Sequence, residues 1–223
     1  MIMKIGIFVC FAFLLAISSP LQAKKSELPQ VTEEGLHLVP DSKLAIVYAA
    51  PDADLAPYKR VLLLDTYVAF QKNWLRDQRS RSAQPLGITT KDVERMKDTM
   101  ADEFQSVSVE VLESGGYPVA DEAGEDVLLI RPAIIDLYPN APDTQRAGMS
   151  MTYVASAGAM TLYIEVYDSV SGALLAKALD RKADRSSGAL YTWSNSATNK
   201  QASKRILKGW ATILLDALNE AKR

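Results

Sequence analysis

With 223 residues, 48% of them hydrophobic and 23% charged, the chain is long enough for one domain with a packed core and has an ordinary globular balance. That composition excludes collagen-like repeats, wholesale disorder and a polytopic membrane protein. A formal net charge of -2 gives no whole-molecule positive field of the kind that draws proteins onto phosphate backbones, so nucleic acid is not an expected partner.

Residues 1–23 carry the pattern of a cleavable export signal. Lys4 supplies the charged start, Ile5 to Ile17 an apolar run, and Pro20-Leu21-Gln22-Ala23 ends on a small residue, which places cleavage after Ala23. The run is too short to cross a ~30 Å hydrocarbon core as a helix. The single cysteine, Cys10, lies inside that run behind Val9, whereas lipid attachment requires a small residue before a cysteine at the end of the run. The expected mature chain is periplasmic or secreted, not lipidated, and free of disulfides, thiol nucleophiles and thiolate metal ligands.

Residues 24–57 contain Pro29, Pro40, Pro51 and Pro57 and read as an arm lying over a single domain at 58–223, docked by the run Leu44 to Tyr48. Arg60 to Asp65 has the length and apolar continuity of a buried strand. A polar, arginine-containing connection from Phe70 to Gly87 follows, and then Thr89 and Thr90 offer helix caps. Val93, Met96, Met100, Phe104, Val107 and Val111 recur at helical spacing until Gly115-Gly116 stops the pattern.

Beyond a short Tyr117 to Val119 strand and an acidic turn, Val127 to Leu137 forms a second apolar run, where Pro132 predicts a bulge or an edge-facing position. Met160, Leu162, Ile164 and Val166 alternate with Thr161, Tyr163, Glu165 and Tyr167, the mark of a half-buried strand. Ser171-Gly172 turns it into Leu174 to Leu179, a hairpin. A closing helix from about Ala197 carries Ile206, Trp210, Ile213, Leu214 and Leu218 as its apolar stripe. The fold class implied is an α/β (α+β) two-layer sandwich: a mixed sheet of about four to five strands with two long amphipathic helices on one face.

Little of the chain points to chemistry. His37 is the only histidine and sits in the arm as an ordinary surface residue, so neither imidazole catalysis nor a zinc site is expected. Gly148-Met149-Ser150-Met151-Thr152 lacks the last glycine of a nucleophile elbow. Asp121, Glu122, Glu125 and Asp126 crowd a turn without the spacing of a calcium loop, and no glycine-rich nucleotide motif appears. No cofactor or metal is expected. Lys200, Lys204 and Lys208 with Arg205, and Arg76, Arg79 and Arg81 near Trp74, read first as solvated faces.

Tyr58 to Asp65 with Trp74 downstream, Asp126 to Ile134, and Tyr167 to Ala176 followed by Asp180-Arg181 together resemble the bacterial family called domain of unknown function 3313, over roughly residues 35 to 220. The resemblance implies an envelope protein, often a lipoprotein, and this chain departs from that pattern in lacking a usable lipid-attachment cysteine. The element order is also similar to that of the N-terminal domain of the Tol-system translocation protein and of the lipoproteins that activate penicillin-binding proteins, a fold-level analogy that implies a docking domain rather than a catalyst.

If the first two core strands are joined by a right-handed helical crossover, they run parallel and each later hairpin reverses direction. Residues 138–158 and 184–197 then converge at one edge, bringing Tyr138, Asn140, Arg146, Tyr153, Tyr191, Trp193 and Asn195 together as a candidate recognition surface. The expected function is non-catalytic binding or assembly, with an envelope protein or cell-wall polymer as partner. The competing reading is a hydrolase of wall polysaccharide using carboxylates alone, with Asp65, Asp136 and Asp168 as candidates.

Overall fold

The computed structural model describes residues 28–81, 88–139, 159–183 and 196–221. Among them the chain forms β1 (His37–Leu38), β2 (Ile46–Ala49), β3 (Arg60–Leu63), β4 (Tyr67–Phe70), α1 (Trp74–Arg81), α2 (Thr90–Ser114), β5 (Val127–Tyr138), β6 (Ala159–Asp168), β7 (Leu174–Ala183) and α3 (Ser196–Glu220). All seven strands belong to one mixed sheet, in the order β1-β2-β7-β6-β5-β3, with β4 also pairing β5. The α+β class holds, but seven strands replace the expected four to five and there is a third helix.

The difference lies in short elements. β1, of two residues, and β4, of four, are too brief to establish a hydrophobic period. The segment read as a polar connection contains α1, whose Trp74 is buried beside Phe70, Ile88 and Val93 in a small core of its own. Tyr117 to Val119, read as a strand, reduces to a single bridge from Val119 to Val61. The proline-containing stretch supplies β1 and β2, and β2 completes the sheet by pairing antiparallel with β7.

Helix α2 forms where the spacing predicts. Thr89 caps it reciprocally: its Oγ1 accepts from the Asp92 N–H at 3.2 Å, and Asp92 Oδ2 accepts from the Thr89 N–H at 2.9 Å. Its stop uses both glycines. Gly116 takes φ 86° and lets the Tyr117 N–H reach back to the Leu112 carbonyl at 2.9 Å. A Cβ on Gly115 would come within 2.3 Å of Leu215 in α3, so the end of α2 is a point of close helix contact.

Phe104, Val107, Val111 and Leu112 of α2 and Leu207, Trp210, Ala211 and Leu218 of α3 enter one core with the inward residues of β3, β5 and β6. The Tyr117 hydroxyl ties the two helices by donating to the Leu218 carbonyl at 2.8 Å. Leu207 and Ala211, outside the stripe read from sequence, are the inner positions of α3, while Ile206 and Ile213 are half-buried.

Pro132 brings no bulge of its own. β3 pairs in parallel with Val127 to Ile130 and β4 with Ala133 to Leu137, so the proline falls in the interval between them while facing Ile164 of β6 on its other side. A missing N–H is tolerated where the ladder is already interrupted. The irregularity comes further along, at Asp136, where φ is 51° and the registers with both β4 and β6 slip.

Asp180 of β7 joins three layers of the fold. Its side chain, on a residue only 3% exposed, accepts from the Trp210 indole N–H at 2.7 Å and from the Ala45 backbone N–H at 3.1 Å, with Lys182 at 3.0 Å. Helix α3, the approach to β2 and the sheet are thereby held by one carboxylate. The β6–β7 turn is organised by another. Asp168 accepts from the Ser171 N–H at 2.6 Å, the Val170 N–H at 3.1 Å and the Tyr58 hydroxyl at 2.8 Å, while Gly172 takes φ 70°.

Two outcomes are expected. Asp180→Ala leaves the indole and amide donors unpaired and lowers unfolding free energy by about 2–4 kcal/mol, read from urea midpoints. Asp180→Asn does not restore it, because the amide NH₂ meets a donor where an oxygen was needed. The Ser171 backbone N–H, then its hydroxyl and that of Tyr58, hold the Asp168 carboxyl down at about 2. A depressed carboxyl stabilises the fold above its unfolded value of about 3.9 and loses that contribution as pH falls toward 2. Asp168→Asn therefore flattens stability against pH in that window while leaving neutral-pH far-UV circular dichroism unchanged.

Candidate functional site

Because strand residues alternate, the sheet face turned away from α2 and α3 carries its own set of side chains. On β6 these are Thr161, Tyr163, Glu165 and Tyr167; register places Arg131 of β5 and Lys177 of β7 on either side of Glu165. Tyr67 of β4, 65% exposed, stands opposite Ala133, and Leu64 lies nearby at 37%.

Glu165 is the centre of this face. It accepts from the Tyr163 hydroxyl at 2.7 Å and the Tyr167 hydroxyl at 2.8 Å, pairs with Arg131 at 3.3 Å and lies 3.9 Å from the Lys177 ammonium. Burial of this carboxylate opposes its charge, but the two phenols and then the cations outweigh that and hold its pKa below the usual range. Burial, followed by the hydrogen bond to Glu165, pushes both phenols up. Lys177 also reaches Glu34 at 2.5 Å, and Tyr48 donates to the Pro29 carbonyl at 2.9 Å, so residues 29–34 frame one side of the face.

Chemically the arrangement is a neutralised, hydrogen-bonded cluster. Both phenol protons are committed to a carboxylate that is itself ion-paired. It presents ring surface and a guanidinium whose side chain is 65% exposed. These are the side chains that dominate the energetics of protein interfaces.

Of the recognition residues read from sequence, Tyr138 is described: it packs, half-buried, against the small core of Trp74, Ile88 and Val93. Asn140, Arg146, Tyr153, Tyr191, Trp193 and Asn195 lie outside the described residues, as do the Gly148 to Thr152 motif, Cys10 and the Ala23 cleavage position. The strand ends that flank the two long segments do meet: Tyr138 pairs with Ala159, and Ala159 with Ala183.

The three candidate carboxylates do not come together. Leu128 pairs with Asp168, and Asp136 lies eight residues further along β5, about 25 Å away at ~3.3 Å per residue. Asp65 is exposed between β3 and β4, roughly 13 Å along the strand direction from either. Glycoside hydrolysis wants its two carboxyls about 5 to 9.5 Å apart. Asp168 is in addition consumed by its turn. In the acidic turn, Asp126 takes a two-pronged bond from Arg60 at 2.6 and 3.0 Å, His37 is exposed on β1, and Lys208 lies 3.9 Å from Glu110.

The residues that make the cluster were visible in sequence only as a strand period. The Tyr163, Glu165, Tyr167 alternation was the available signal. Recruiting Arg131 and Lys177 to it requires the cross-strand register, which a single sequence does not supply.

Among solved structures, the chain is similar to the PelC dodecamer from Paraburkholderia phytofirmans, with 13% identity, 73% of this chain and 96% of that chain covered, and a TM-score of 0.36. It is similar to protein XCC0632 from Xanthomonas campestris, with 16% identity, coverage of 75% and 86%, and a TM-score of 0.40. A minor lipoprotein from Acinetobacter baumannii gives 10% identity, coverage of 71% and 91%, and a TM-score of 0.31. No curated protein matches the sequence. A family model described as protein of unknown function (DUF3313) matches residues 37–214, and the chain belongs to that family.

Proposed function

We propose that this protein is an exported, non-catalytic domain of the cell envelope that docks onto another envelope protein through the face of its sheet turned away from α2 and α3. The observation that carries the reading is the prearranged cluster of Arg131, Tyr163, Tyr167 and Lys177 around Glu165, flanked by the exposed Tyr67. Side chains already held in place lose little freedom when a partner arrives. Export rests on the leader pattern at residues 1–23, and no helix among the described residues is long and apolar enough to cross a membrane.

Asn140, Arg146, Tyr153, Tyr191, Trp193 and Asn195 are kept as candidate contacts of the same partner; what supports keeping them is that Tyr138, Ala159 and Ala183, the strand ends flanking their segments, stand side by side. A protein partner fits better than a wall polymer. The Tyr163 and Tyr167 protons are spent on Glu165, so the cluster offers rings and a guanidinium rather than the free carboxylates that hold sugars.

A photo-crosslinking residue placed at Tyr67 tests this in cells, with the same residue at Glu110 on the exposed side of α2 as reference. One discrete protein adduct is expected from Tyr67 and none from Glu110, and Arg131→Ala reduces it about tenfold, the loss of about 1.4 kcal/mol typical of an interface arginine. Equal adducts from both positions, no adduct, or an adduct to polysaccharide alone overturns the proposal.

A further inference from the structure

On the opposite face, beneath the approach to β2, lies a pocket of about 540 Å³, open on one side, between the sheet, α3 and residues 39–44. Its origin is a local shortage of side-chain volume. On the inner face, β7 presents Ala176 and Ala178 where its neighbour β6 presents Val166 and Ile164. Helix α3 cannot settle into the space, because Trp210 is fixed to Asp180 at 2.7 Å. Interiors are otherwise close-packed, with few voids larger than a water molecule.

The cavity is graded from dry to wet. Leu128, Leu218 and Trp210, between 0% and 2% exposed, form its deep end, and Lys43, Asp41 and Glu220 stand at its rim. The one polar atom of the indole is already donated to Asp180, so the deep walls offer a ligand no hydrogen-bond partner. A peptide or sugar placed there would strand its amides or hydroxyls. A hydrocarbon chain strands nothing and gains from leaving water.

At about 30 Å³ for each water-sized group, the volume, part of which is the open mouth, holds on the order of eighteen methylene-sized units at most, enough for one acyl chain. The rim carries both signs of charge. Lys43 bridges Asp216 at 3.0 Å and Glu220 at 3.3 Å across the mouth. A head group bearing a phosphate and an ammonium can exchange with that arrangement, its phosphate meeting Lys43 and its ammonium meeting the two carboxylates. A purely anionic head meets more repulsion than attraction.

We propose that this cavity binds the single acyl chain of a zwitterionic lysophospholipid, with the head group at Lys43, Asp216 and Glu220. The site is separate from the docking face, being reached from the other side of β6 and β7.

The probe is a lysophosphatidylethanolamine with a dibrominated stearoyl chain, titrated below its micelle concentration into the purified full protein, with tryptophan fluorescence as the signal. Bromine quenches on contact; with Trp193→Phe in every sample, the two remaining indoles are Trp210, which lines the cavity, and Trp74, which belongs to the separate small core. Saturable one-to-one quenching is expected, and Ala178→Phe, which fills the void from β7, weakens it at least tenfold without lowering the melting temperature. Ala217→Phe, at the rim, gives the same loss if the first variant folds poorly. The dibrominated free fatty acid binds at least tenfold more weakly, and Arg131→Ala leaves lipid binding unchanged. Absent quenching, or quenching that both filling variants leave intact, overturns the site. Equal affinity for the fatty acid overturns the head-group assignment. A dimer that the filling variants dissociate gives the face to a second copy and overturns the lipid proposal.

Discussion

A single carboxylate decides how this chain closes on itself. Asp180 sits on β7 with 3% exposure, and its two oxygens take an indole N–H from α3 and a backbone N–H from the residue that leads into β2. Hydrogen bonds to a buried carboxylate are stronger than neutral ones, and the alternative, an uncompensated charge in the interior, is costly. The arm, the sheet and the last helix are therefore interdependent: displacing any one of them leaves the carboxylate short of a partner. Burial of the Trp210 ring supplies the area, but the bond to Asp180 fixes where along β7 that ring stands.

From that constraint follows the division of the sheet into two surfaces. With α3 pinned above β7 and α2 packed beside it, both long helices occupy one side, where they meet Leu128, Ile130, Ile134, Met160, Leu162 and Ile164. The pleat then forces the alternate residues outward, including a glutamate that would be poorly hydrated on its own. Glu165 is satisfied by two phenols and an arginine drawn from its own and the adjacent strand. The same alternation that builds the core thus builds the cluster behind it.

The sequence was most legible where a pattern runs long enough to average out exceptions. The six apolar positions of α2 recurring at steps of three and four, the Thr89 cap and the Gly115-Gly116 stop all reappear as read, as do the β6 alternation and its turn into β7. Short elements escaped. Tyr67 to Phe70 forms a strand only because Ala133 to Leu137 lies alongside it, and Trp74 to Arg81 is helical although its composition is mostly polar and its anchor is one buried tryptophan. Which of its two readings Pro132 takes depends on the same kind of information: β3 and β4 leave a gap opposite it, so it sits at a position unpaired on that side and makes no bulge. The carboxylate candidates failed on distance, since an apolar strand between Asp136 and Asp168 says nothing about separation until the register is known.

The sheet's edges bear on why recognition is assigned to a face. An exposed edge strand is the simplest docking device a sheet has, because its free N–H and C=O groups template another strand. Here the margins are blunted: β1 has two residues, and β3 and β4 share the other margin with four residues each. After the Leu64 N–H, which still donates to the Ile130 carbonyl at 2.9 Å, Asp65 and Thr66 leave the ladder between the latter two, so neither presents a continuous row of backbone groups to a visiting chain. β2, of four residues, is already covered in part by β1. Of the long strands, β5 and β6 are interior and paired on both sides along most of their length, and β7 pairs β6 throughout and β2 over Ala176 to Leu179. Backbone addition at the margins would therefore yield few hydrogen bonds, whereas the face over the long strands displays side chains that the fold has already ordered.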